Sequence, residues 1–169
     1  PTGDGSLTAI VDEKKFIEEA LAAEGAQFAP EDLIESIIET RITVLPGNSR
    51  EGATAYFQEL LKTIQHTMPS AVSETADNRV AMFEQLAKER TADLDALYGL
   101  RPTPDLAELH RDILTAVGTQ RNIFTALAEY EADPMKALMA AQFESDLEVN
   151  LKDITERMND YIVEHKLSS

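Results

Sequence analysis

Apolar residues recur along this chain at intervals of three and four, and prolines and glycines cut the pattern into segments. From Thr8 to Ala23, Ile10, Phe16, Ile17, Ala20 and Leu21 fall on one side of a helix that Gly25 would end. Pro30 opens a second helix, with Leu33, Ile34, Ile37 and Ile38 on one face. Ile42 to Leu45 is rich in β-branched residues and predicts a short extended piece, followed by a turn at Pro46-Gly47. Asn48, with Glu51 three residues on, has the form of a capping box. The helix behind it carries Tyr56, Phe57, Leu60, Leu61, Ile64 and Met68 and stops at Pro69.

The second half is simpler. After Ser70 to Ser73 a run without proline or glycine reaches Tyr98, with Val80, Phe83, Leu86, Ala87, Leu94, Leu97 and Tyr98 stepping by three and four. Gly99 and Pro102 close it. Thr103-Pro104 then starts a central helix to about residue 131, with Leu106, Leu109, Ile113, Val117, Ile123, Phe124 and Leu127 inward. Asp133-Pro134 starts the last helix, which reaches Lys166. Proline is at home at a first helical position, where its missing N–H would have no partner, and the Thr or Asp before it can cap free amides. At about 1.5 Å per residue these three helices span roughly 35–50 Å. Short connections make neighbours antiparallel, and each wide apolar stripe must be covered by the others. The pattern therefore predicts an all-α, antiparallel up-and-down bundle with three long C-terminal helices and about three shorter N-terminal ones. Residues 1–7 read as a mobile lead-in and 8–169 as one helical domain, with 8–69 and 70–169 as its subdivision. There is no internal repeat.

Composition narrows the function classes. At 43% apolar residues the chain is not of a disordered type, and no apolar run approaches the roughly 18–20 residues of a membrane span. Net charge is −16, from 31 acidic against 15 basic residues, which argues against nucleic acid and anionic membrane surfaces as partners. Cysteine is absent, which excludes disulfides, thiolate zinc sites and thiol catalysis. The opening Pro1 to Ser6 reads as a linker or cut site rather than the start of a gene product.

Polar residues on the inward stripes are the candidates for function. His110 shares a face with Leu106, Ile113 and Val117, and Gln120 and Arg90 also fall on inward stripes. The favoured reading is that His110 and Gln120 hydrogen-bond to a facing helix and set bundle register. The sharper one is that His110, Gln120 and Arg90 line a cavity for a small polar ligand or a metal ion. None of His66, His110 and His165 has a carboxylate or a second His three or four residues away. The Glu-x-x-His motif of di-iron bundles and the His-Glu-x-x-His zinc motif are therefore missing, and no metal ligand is assigned.

Carboxylates form three stripes: Glu31, Glu35 and Glu39; Asp105, Glu108 and Asp112; and Asp153, Glu156, Asp160 and Glu164. Like charges at this spacing repel in an isolated helix, so the stripes read first as solvated faces and second as weak divalent-cation or basic-partner sites. There is no EF-hand loop, no P-loop and no dinucleotide fingerprint. Gly47 to Gly52 misses a nucleophile elbow because Glu51 stands where glycine is needed. No catalytic residue and no cofactor is assigned.

The stretch Arg101-Pro102-Thr103-Pro104-Asp105-Leu106, with His110 four residues on and a small-residue helix behind it, resembles a helical hairpin of uncharacterised bacterial exported proteins and lipoproteins. The resemblance covers about thirty of the 169 residues. It implies an extracytoplasmic helical bundle without an assigned activity and carries over no catalytic residue. A lipoprotein would show its acylated cysteine upstream, and this sequence has none. The expectation is a non-enzymatic interaction or accessory protein, outside the cytoplasm, that binds a protein partner or associates with itself. The alternative is a sensor or carrier with its ligand inside the bundle.

Overall fold

Three proline and glycine breaks survive into the architecture as the ends of its helices. The computed structural model describes residues 30–65 and 76–167. The expected helix from Thr8 to Ala23, Met68 and Pro69 lie outside the described residues. Among those described, every regular element is helical. Two short 3-10 turns, Pro30–Leu33 and Glu39–Arg41, precede α1 (Arg50–Gln65) and α2 (Ala76–Tyr98). A 3-10 turn at Pro104–Leu106 leads into α3 (Ala107–Ala128), and α4 (Pro134–Glu164) follows.

The caps explain the boundaries. Asp133 accepts a hydrogen bond from the Lys136 amide at 2.9 Å, which starts α4 beside Pro134. At the other end His165 is the C-cap and Lys166 turns into the left-handed region at φ 50°. The amides of Leu167 and Lys166 then return to the carbonyls of Ile162 and Val163 at 3.0 and 3.2 Å. That is a Schellman ending with lysine in the place glycine favours, and buried Leu167 supplies its apolar contact. Asn48 does not cap α1 as the capping-box pattern predicts. Ser49 does, through its hydroxyl to the Gly52 amide at 3.0 Å, while Asn48 Oδ1 accepts from the Asp105 amide at 3.1 Å.

Helix α3 is the middle of the molecule. It packs along α2 on one side and α4 on the other. It is accordingly buried around most of its circumference, with Leu109, Ile113, Leu114, Ala116, Ile123, Phe124 and Ala126 all in the core. Phe83, early in α2, stacks on Phe124, late in α3, at 6.3 Å. Arg157, late in α4, reaches Asp112, early in α3, at 2.7 Å.

The largest departure from the periodicity lies between Pro30 and Asn48. Leu33, Ile34, Ile37 and Ile38 predict one face of a helix, but the chain there is a strap: two 3-10 turns joined by extended residues. Leu33 is buried, whereas Ile34 and Ile38 are 44% and 49% exposed. The physical reason is that backbone amides a helix would use internally are taken elsewhere. Glu35 N–H donates to the Thr119 hydroxyl at 3.0 Å and Ile38 N–H to the Tyr98 hydroxyl at 2.9 Å. Ile42 to Leu45 is irregular and extended, as its β-branching predicts, and Leu45 N–H reaches the Pro102 carbonyl at 2.8 Å.

Candidate functional site

Two of the N-terminal limb's contacts with the long helices hold polar groups. At the first, α1 lies against the start of α3 and the end of α4. Its face Ala53, Tyr56, Phe57 and Leu60 is fully buried, at helical spacing. Tyr56 sits edge-on to His110 and its hydroxyl is 3.0 Å from Nδ1. Phe57 leans on Tyr161, and Tyr161 stacks on His165 at 4.0 Å. The Tyr161 hydroxyl donates to Asp105 Oδ2 at 2.8 Å.

Burial decides the charge states here. His110 is 0% exposed, and desolvation, helped by the nearby Arg111 charge, lowers its pKa to about 4. It is therefore a neutral imidazole at physiological pH. Burial pushes the Tyr56 phenol well above its ordinary value. Tyr161 is raised to about 12 by burial and by the Asp105 carboxylate it serves. For Asp105, partial burial works upward, but the hydroxyls of Thr103 and Tyr161, its own amide and His165 hold the carboxyl below its usual range. A general acid or base works best with a pKa near the operating pH, and neither His110 nor Tyr56 is placed there. The second nitrogen of His110, Nε2, is buried without a hydrogen-bond partner.

Gln120 lies ten residues further along α3, about 15 Å of helical rise from His110, and is half-buried. Arg90 belongs to α2, where Nη1 pairs with Asp93 at 2.6 Å with both side chains largely buried. His110 and Gln120 thus stand at separate levels of α3, and the group bonded to His110 comes from α1.

The second place is the strap's crossing of α3. Asn122 Nδ2 donates to the Leu33 carbonyl at 3.0 Å and Thr119 accepts the Glu35 amide, so two side chains one turn apart take hold of the strap's backbone. The Glu35 carboxylate receives Arg121 at 2.6 Å and Asn122 at 3.3 Å. Arg121 also donates to Asn122 Oδ1, which orients that amide toward the strap. Gly118 lets the chains touch: a Cβ there would meet Glu35 Cβ, Cγ and Cδ closer than real carbon atoms approach. Two turns further back from Gly118, Arg111 holds Glu39 at 2.9 Å, and Arg41 pairs with Asp95 at 3.0 Å while covering the Tyr98 ring.

Two of the predicted carboxylate stripes are changed by these contacts. Glu35 and Glu39 lie on the strap and are paired with arginines of α3. Asp105 and Asp112 are joined to α4 through Tyr161 and Arg157. Among the described residues no three His, Asp or Glu side chains gather closely enough to hold a metal ion. No described helix is long and apolar enough to cross a membrane. The pattern reading did not single out Gly118, Thr119, Arg121 or Asn122. Gly118 was the available signal, since a lone glycine inside a helix costs about 1 kcal/mol relative to alanine and points to close packing.

No known protein family, curated protein or solved structure matches this chain.

Proposed function

We propose that the protein is a non-enzymatic helical interaction or accessory protein that binds a protein partner or serves as a subunit of a larger assembly, outside the bacterial cytoplasm. The observation that carries this reading is the work given to its buried polar groups. Tyr56 with His110, and Thr119, Arg121 and Asn122 with the strap, join chain segments to one another. The extracytoplasmic placement rests on the resemblance carried by Arg101 to Leu106. The fold is an antiparallel up-and-down bundle, supported by the pairing of Phe83 with Phe124 and of Asp112 with Arg157.

The outer side of α4 is the surface offered to a partner. Leu138, Val149 and Val163 fall on one line along the helix, and the last two are 71% and 76% exposed. Asp153, Glu156 and Asp160 flank that line. Native mass spectrometry on gently purified protein tests the reading. The expected result is a complex with a second protein, or with itself, that V149R together with V163R dissolves while helix content is unchanged. A bare single chain carrying only a small-molecule mass would overturn it.

The second reading is a small-ligand or metal-ion sensor or carrier, with His110, Gln120 and Arg90 around its site. The unpartnered, fully buried His110 Nε2 favours it. His110→Leu should then remove a bound species; a variant that is simply more stable removes the idea instead.

A further inference from the structure

The strap is held in the way a bound peptide is held. Helix α3 grips its backbone at the Leu33 carbonyl and the Glu35 amide, through Asn122 and Thr119, and Tyr98 of α2 takes the Ile38 amide. Leu33 is 1% exposed and is anchored in the hydrophobic core. Arg121 and Arg111 read the two carboxylates, Glu35 and Glu39. Gly118 provides the notch that admits the Glu35 side chain. A groove that grips backbone groups and reads side chains at fixed spacing recognises a sequence, here Leu-x-Glu-x-x-x-Glu.

We propose that this face of α3 is a recognition groove which the chain's own residues 33–39 fill in cis and which the same segment of a second copy fills in trans. The inference rests on the reading of the protein as an interaction module. A second copy is the occupant because its segment makes the same contacts by construction, so exchange gives up no interaction energy and is opposed chiefly by the cost of association. The strap is also poised to leave. Leu33 is its one fully buried aliphatic anchor, Ile34 and Ile38 are half exposed, and the segment forms no α-helix of its own. The Arg111–Glu39 and Arg41–Asp95 pairs are exposed and hold weakly. Pro46-Gly47 supplies a hinge, with no heavy atom near the position of a Gly47 side chain.

The absence of cysteine makes the test direct. Full-length E35C is mixed with full-length R121C and treated with a bis-maleimide whose spacer matches the reach of the Glu35–Arg121 ion pair. The expected product is a mixed cross-linked dimer whose yield rises with protein concentration and exceeds that of E35C mixed with E84C, an exposed position of α2, which reports random collision. The double variant E35C/R121C is expected to cross-link within its own chain in dilute solution, which verifies fold and geometry. If the double variant closes and the mixture gives no dimer above the E84C level, exchange does not occur and the proposal fails. Native-state hydrogen exchange on the unaltered chain is the second measurement. The Glu35 and Ile38 amides should exchange at least tenfold faster than the amides of α3; exchange together with α3 would overturn the proposal. Loss of the mixed dimer with a protein partner still bound would remove the groove's exchange and leave the proposed function standing.

Discussion

Two of the contacts that residues 30–65 make with the long helices are built from opposite materials. At α1 the joint is apolar and aromatic: Leu60 and His110 are both fully buried, and Tyr56, Phe57 and Ala53 nearly so. At the strap the joint is charged and backbone-directed, with Leu33 its one deep apolar anchor. The first kind of contact is set by the area removed from water and ignores salt. The second is set by geometry and charge, and ionic strength weakens its exposed pairs. One limb therefore carries a fixed joint and a releasable one, joined through the turn at Pro46-Gly47.

The strongest way to break this contrast is to hollow the fixed joint. Leu60→Ala removes a fully buried side chain and should cost about 2–5 kcal/mol, read by denaturant unfolding. The loss should be the same at low and high salt. Leu33→Ala, at the other joint, should instead release the strap locally and leave exchange in α3 unchanged.

Acid separates the joints next. His110 is held to about 4 in the fold and returns to 6.5 when unfolded, so the unfolded state binds the proton first. Stability is complete above pH 6.5 and falls as pH drops toward 4, by about 3 kcal/mol in all. A pH series of urea melts should show this fall, and His110→Leu should flatten it. Asp105, held below its ordinary value, adds its own loss only at lower pH.

Gly118→Ala addresses the releasable joint. Alanine favours the helix by about 1 kcal/mol, yet its methyl would strike Glu35. The expected outcome is a strap pushed off α3, with faster exchange at Glu35 and a net change in global stability of about 1 kcal/mol or less. A variant that is plainly more stable with the strap still protected would show that Glu35 can yield, and would weaken the contrast.

The smallest effect is a gain. Lys166 occupies the left-handed region and its carbonyl accepts from Arg50, which ties the end of α4 to the start of α1. Lys166→Gly should relieve about 1 kcal/mol of backbone strain, seen as a higher midpoint of thermal unfolding.

The long helices were legible because their signals are local. Val80 to Tyr98 steps by three and four without a breaker, and Pro104 and Pro134 mark starts at the positions where a missing N–H costs nothing. The strap was not legible, although Leu33, Ile34, Ile37 and Ile38 carry the same periodicity. What stops a helix there is Thr119 and Tyr98, 84 and 60 residues away, which take the Glu35 and Ile38 amides. The candidate site divides in the same manner. His110 could be picked out as a polar residue on an apolar stripe, but Tyr56 as its partner could not, and neither could the arginines that pair with Glu35 and Glu39.

Taken alone, the amino-acid sequence determined the all-helical class, because propensity, capping and periodicity act within a few residues. Only the tertiary structure decided that residues 30–48 are a strap, that α3 is the covered centre, and that His110 is neutral. Those outcomes depend on which distant groups reach a given amide, carboxylate or imidazole once the chain has packed, and on how much water is left around it.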